Sequence, residues 1–270
     1  MNELGMNEEW AKAKMREGYL REKCAEEVEE YMHLTTCVGP NLKTQYMLCI
    51  GQLEYRVFQL KTDVARWQRR FTLRQQALNR GETPNLVQIE AQLDEEFQDY
   101  LRQVKEHLAA IKAAAQHASM ARLSDEETSA IRVNYLKAVK RLHPDINPGL
   151  PKGAAELWNK IQEAYANGEW KELEFLVAMV DDVLGGAATV PDDGDALESL
   201  KKSIARLEKR LEELKERRKN LEQQEPFVWK DFLGDEEEVA LRQAVLNKKI
   251  AELEEVVSEY ESLWSAKEVA

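Results

Sequence analysis

The sequence predicts an all-α protein made largely of long amphipathic helices. Three observations carry that prediction. Charged residues make up 33% of the 270 positions and aromatics only 7%, which suits much surface and little core per residue. Glycine and proline, the residues that interrupt helices, number only 12 and 7. Apolar residues recur at alternating steps of three and four, the spacing that keeps one helical stripe facing a neighbour.

In chain order, residues from about Asn7 to Leu34 are charged and helix-prone, and Cys37-Val38-Gly39-Pro40 predicts a break. Tyr46, Ile50, Leu53, Val57, Leu60, Val64, Trp67 and Phe71 then form a coiled-coil-like stripe. It ends at the turn Asn79-Arg80-Gly81-Glu82-Thr83-Pro84. A second helix follows, with Leu86, Leu93, Phe97, Leu101, Val104, Leu108 and Ile111 inward. Two such helices across a short turn predict an antiparallel hairpin, on which the first helix packs as a three-helix bundle.

Ser124-Asp125-Glu126-Glu127 has the form of a capping box and opens a helix running to about Leu142. The loop His143-Pro144-Asp145-Ile146-Asn147-Pro148-Gly149 is rich in breakers, and a further helix spans about Gly153 to Ala166. Beyond Asn167-Gly168 lies a stripe of Trp170, Leu173, Val177, Val180 and Leu184. The small, acidic stretch from Gly185 to Gly194 predicts a flexible linker. Leu197, Leu200, Ile204, Leu207, Leu211, Leu214 and Leu221 hold another stripe, broken only by Arg218. A connector from Pro226 to Gly234 leads to a last stripe of Leu246, Ile250, Leu253, Val257, Tyr260 and Trp264. These two stripes predict a second antiparallel hairpin, with a parallel coiled coil between two chains as the competing arrangement. The expected organisation is a helical bundle over 1–120, a central unit over 121–184, a linker over 185–194 and a coiled-coil hairpin over 195–270.

The formal net charge of −12 repels phosphates and argues against general nucleic-acid binding. Cys24, Cys37 and Cys49 form no CxxC pair, so neither a disulfide framework nor a zinc site is expected. The N-terminus has no signal-peptide pattern, and no run approaches the roughly 18 apolar residues of a spanning helix. A soluble, cytoplasmic protein without a membrane partner is the expectation. His33, His107, His117 and His143 are scattered, and no HExxH, phosphate loop or nucleophile elbow occurs. No enzyme, metal or cofactor is therefore expected.

The centre of the chain resembles a J-domain. Tyr135-Leu136-Lys137-Ala138-Val139-Lys140-Arg141-Leu142 running into His143-Pro144-Asp145 looks like that family's second helix and signature loop. Trp158-Asn159-Lys160-Ile161-Gln162-Glu163-Ala164-Tyr165 resembles its third helix. Ile131, Tyr135, Val139 and Leu142 share one face, as do Trp158, Ile161 and Tyr165, so the two helices can zip into a hairpin that displays the loop. Arg132, Lys137, Lys140 and Arg141 give a positive surface suited to an acidic partner. Pro144 orients the loop, and Asp145 presents a carboxylate suited to a partner's arginine.

The resemblance implies a co-chaperone that docks on a DnaK-type heat-shock ATPase and stimulates it, with an unnamed client. By position, Arg132, Tyr135 and Lys137 line the docking face, Lys140 and Arg141 extend it, and His143, Pro144 and Asp145 form the trigger. The chain departs from the family in several ways. Leu136 stands where a basic residue is usual, which weakens docking or packs on a neighbouring helix. The family's first helix is not recognisable, and the helix ending near Ala118 is expected to stand in for it. Its basic fourth helix is replaced by Asn167-Gly168-Glu169-Trp170, and no Gly/Phe-rich segment or cysteine repeat occurs. The alternative is a coiled-coil scaffold whose J-like unit serves only for packing. Phe227, Trp229, Phe232 and Leu233 either form a partner patch or fold back onto the neighbouring helices.

Overall fold

The computed structural model describes residues 3–119, 124–184 and 196–268; the linker expected over 185–194 lies outside them. The described residues are all-α and contain no strand. The helices are α1 (Glu3–His33), α2 (Gly39–Tyr46), α3 (Gln52–Asn79), α4 (Leu86–Glu96), α5 (Gln98–Ser119), α6 (Asp125–Leu142), α7 (Lys152–Ala166), α8 (Trp170–Ala178), α9 (Val180–Leu184), α10 (Ala196–Glu222), α11 (Lys230–Gly234) and α12 (Glu236–Glu268).

The break expected at Cys37-Val38-Gly39-Pro40 is not there. Leu34–Val38 and Met47–Gly51 are π-helical turns, so helical geometry continues from α1 through α2 into α3. A proline inside an α-helix lacks a donor and crowds the carbonyl four residues back; a widened turn just before Pro40 relieves that crowding. The hydroxyls of Thr35 and Thr36 donate back to the carbonyls of Tyr31 and Met32 one turn earlier, a local bond that accompanies bending of a helix.

Two compact units divide the chain: Met1–Pro40 with Ala121–Val228, and Asn41–Met120 with Trp229–Ala270. They replace the expected consecutive bundle, central unit and C-terminal hairpin. In the first unit α10 lies along α1. Lys201 pairs with Glu9, Glu208 with Arg16 and Arg218 with Glu27, so the two helices run parallel. Arg218, the break in the leucine stripe, is thereby explained, because it turns toward Glu27. In the second unit α12 lies along α3. Gln243 donates to the Cys49 carbonyl, Arg56 pairs with Glu254, and Phe71 meets Trp264 edge-on, again a parallel order. The stripes are real, but periodicity specifies a buried face and not its partner. Each C-terminal helix took an N-terminal one.

The first unit holds the largest core. Ile131, Tyr135, Ala138, Val139 and Leu142 of α6 meet Leu157, Trp158, Ile161 and Tyr165 of α7. Leu173 and Leu176 of α8 close one side, and Leu20, Cys24 and Ala25 of α1 with Leu207, Leu211 and Leu214 of α10 close another. The helix against α6 is therefore α1, not the one ending near Ala118, and α1 belongs to this core instead of the expected three-helix bundle. The small Cys24 and Ala25 allow close approach: the Cys24 thiol lies 3.6 Å from the Leu207 carbonyl.

In the second unit Asn85 caps α4, and Ile89 and Leu93 bury against Leu73 of α3. The single helix expected over this stretch is interrupted at Phe97, so that α5 starts afresh at Gln98. Leu101 and Leu108, expected inward, are more than a third exposed. The connector Pro226–Gly234 folds inward. Phe227 is buried in the first unit; in the second, Leu233 is buried, Phe232 packs beside Leu246, and Trp229 stacks on Tyr46 with ring centroids 4.0 Å apart. Those four residues therefore do not form an open patch.

Candidate functional site

The site is the closed end of the α6–α7 hairpin. The Ser124 hydroxyl accepts the Glu127 amide while the Glu127 carboxylate accepts the Ser124 amide, completing the capping box that starts α6. The helix stops at His143, whose backbone is extended (φ −65°, ψ 123°), as the residue before a proline requires. The His143 carbonyl then accepts the amides of Ile146 and Asn147, and the Asn147 side chain donates to the Lys140 carbonyl. Ile146 is fully buried and pins the loop to the core. Gly149, at φ +83°, turns the chain toward α7 in a conformation that side-chain-bearing residues avoid.

His143 is half-buried, while Pro144 and Asp145 are exposed. The imidazole meets the Trp158 indole edge-on at 5.4 Å. Burial pushes its pKa below the usual value; Asp145 opposes that shift and Arg210 adds to it. Its Nδ1 accepts the Asp145 amide at 3.2 Å, which fits a neutral ring with the proton on Nε2.

Each of the other expected docking residues has a defined place. Tyr135 is not on an open face: it is buried, stacked on Trp158 and tilted against Tyr165, and burial raises its phenol well above the ordinary value. Arg132 makes a bidentate pair with Glu29 of α1 at 2.7 and 2.8 Å and reaches Glu30 at 2.6 Å. Lys140 pairs with Glu22 of α1, and Arg141 with Asp181 of α9. Lys137 is exposed and contacts Asn134. Leu136 packs against the core. Asp145 meets an arginine of its own chain, with Arg210 Nη2 at 2.5 Å.

Sequence reasoning missed the groups that α1 and α10 bring to the tip. Arg21 donates to the Ile146 carbonyl at 2.7 Å and to the Asn147 side chain at 3.0 Å, and it is itself held by Glu17. Glu22, Glu29 and Glu30 answer the basic face of α6. The one available signal was the acidic run of α1, Glu26-Glu27-Val28-Glu29-Glu30, which complements the cations of α6 in charge.

Among the described residues, no group of His, Cys, Asp and Glu is arranged to hold a metal ion, and no helix is long and apolar enough to cross a membrane. Comparison of the chain with protein-family models, with curated proteins and with solved structures finds no match in any of the three.

Proposed function

We propose that the chain is a J-type co-chaperone that docks on a DnaK-type heat-shock ATPase through the tip of the α6–α7 hairpin and stimulates ATP hydrolysis. One observation carries the reading. A packed two-helix hairpin presents Pro144 and Asp145 to solvent beside a neutral His143, with Lys137 open on the adjacent face. The second unit, with Tyr100, Leu101 and Leu108 exposed along α5, is the natural place for a client or partner protein.

A specific observation favours the second reading, a scaffold in which the hairpin only packs. Tyr135 is buried, and Arg132, Lys140, Arg141 and Asp145 all have partners within the chain. Deleting the hairpin would not separate the readings, since it shares its core with α1 and α10. Point variants do. Single-turnover hydrolysis by an ATP-loaded DnaK-type chaperone is expected to accelerate with excess protein, and His143→Gln to abolish the acceleration. Acceleration that persists unchanged in His143→Gln would assign it elsewhere.

A further inference from the structure

We propose that Arg210 and Glu22 are cis stand-ins for a docking partner's groups, so that the loop tip is held attenuated until the partner displaces them. This rests on the co-chaperone reading and specifies the regulation of the same site.

Three features make the arrangement a removable cover. First, the shape of the loop does not depend on it. Burial of Ile146, the Asn147 bonds to Lys140 and His143, and the Arg21 bond to the Ile146 carbonyl fix the backbone. Arg210 adds a counter-charge to Asp145.

Second, the two contacts sit at the rim. The Asp145 and Arg210 side chains are 46% and 29% exposed, and those of Glu22 and Lys140 are 47% and 36% exposed. Ion pairs this wet contribute little to stability and exchange readily. The Arg132–Glu29 pair is the contrast: Glu29 is only 8% exposed and both its oxygens are engaged, so that contact belongs to the fold.

Third, Arg210 is incompletely satisfied. It reaches Asp145 through one nitrogen and Glu213 through another, while its Nε is buried without a hydrogen-bond partner. An incoming guanidinium free to bind Asp145 through two parallel bonds would compete well with this one-point contact.

The test titrates the full-length protein, the Arg210→Ala/Glu22→Gln double variant and Arg210→Lys into an ATP-loaded DnaK-type chaperone in single turnover. Melting curves confirm that each is folded; if the double variant does not melt cooperatively, Arg210→Gln alone takes its place. The double variant is expected to lower the concentration for half-maximal acceleration about fivefold, in line with the loss of two exposed ion pairs. Arg210→Lys, which keeps the charge, is expected to match the unaltered protein. Equal half-maximal concentrations for the double variant and the unaltered protein, with both accelerating, would overturn the cover and leave the co-chaperone reading intact. Weaker stimulation by the double variant would make Arg210 and Glu22 part of the docking surface, which also overturns the cover. Acceleration by none of the proteins would remove the co-chaperone reading and this inference with it.

Discussion

The imidazole of His143 stands edge-on to the indole of Trp158, 5.4 Å between centroids and 74° between planes, so the loop after α6 is braced by the first half of α7. That contact ties the ionisation of the loop to the packing of the hairpin. Burial lowers the His143 pKa in the folded chain. The unfolded chain then binds more protons just below the usual histidine value of 6.5, and stability falls as pH drops through that region. The contribution is complete above 6.5 and fades toward the depressed folded value. An NMR titration of the His143 ring is expected to show a midpoint below 6.5. In Arg210→Ala the midpoint should rise, because that guanidinium also disfavours the protonated ring.

Trp158 carries more than the loop. It is buried, meets Tyr135 at 5.6 Å and supports His143, so Trp158→Ala removes a large ring from the centre of the core. A loss of about 3–5 kcal/mol is expected from chemical denaturation. A loss under about 1 kcal/mol would mean that α6 and α7 do not pack through this ring.

The ion pairs along α6 are not equivalent. Glu29 is nearly buried, accepts two bonds from Arg132 and also receives the Tyr165 hydroxyl at 3.3 Å. Removing Arg132 strands that carboxylate against a phenol, and Arg132→Ala is expected to cost about 3 kcal/mol. Lys140→Ala breaks a pair exposed on both sides and is expected to cost less than about 1 kcal/mol. Urea titrations of the two variants check the ranking; equal losses would contradict the distinction between fold-forming and replaceable contacts.

The parts of this molecule that the sequence announced are those whose cause is local. The capping box needs only Ser124 and Glu127, three residues apart, and the turn after α6 follows from Pro144, Asn147 and Gly149 in order, although Arg21 of α1 also holds the loop. The parts it did not announce depend on residues far apart in the chain. By the resemblance Tyr135 is a docking residue, although its own stripe faces the next helix; its contacts with Trp158 and Tyr165 of α7 put it in the core. Asp145 reads as free until Arg210 arrives from α10. Apolar stripes say that α10 and α12 each bury a face; only packing chose α1 for one and α3 for the other. The continuity through Pro40 was hidden for another reason: a π-turn relieves the crowding that ordinarily makes an internal proline a stop.

The attachment of α1 to α10 carries its own acid signature. Burial by itself would raise the Glu17 carboxyl, but hydrogen bonds from Lys14, Ser203 and Arg21 win and hold it at about 2. Its folded value lies below the ordinary 4.5, so the stabilisation is present above 4.5 and is lost as pH falls through about 2. Glu17→Gln is expected to cost on the order of 3 kcal/mol at neutral pH and to flatten the acid limb of the stability curve between those values. A variant whose stability falls with acid as steeply as that of the unaltered protein would show that other carboxylates drive the transition.

The second unit provides a contrast between two leucines that share one stripe in the sequence. Leu93 of α4 is fully buried with Leu73 and Ile89, whereas Leu101, beyond the interruption at Phe97, is 37% exposed on α5. Both α4 and α5 lie against α3, but Leu93 is buried there while α5 leaves part of its apolar face open, so the two truncations must differ. Leu93→Ala is expected to cost about 2–5 kcal/mol, because it removes buried methyl groups and leaves a cavity that flanking helices fill only in part. Leu101→Ala is expected to stay within about 1 kcal/mol, since much of its surface is already in water. Denaturation monitored through the Trp67 and Trp264 indoles, which meet at 6.0 Å in the same unit, would report both changes. Equal losses would place Leu101 in a packed seam, and α5 would then no longer offer an open apolar face to a client.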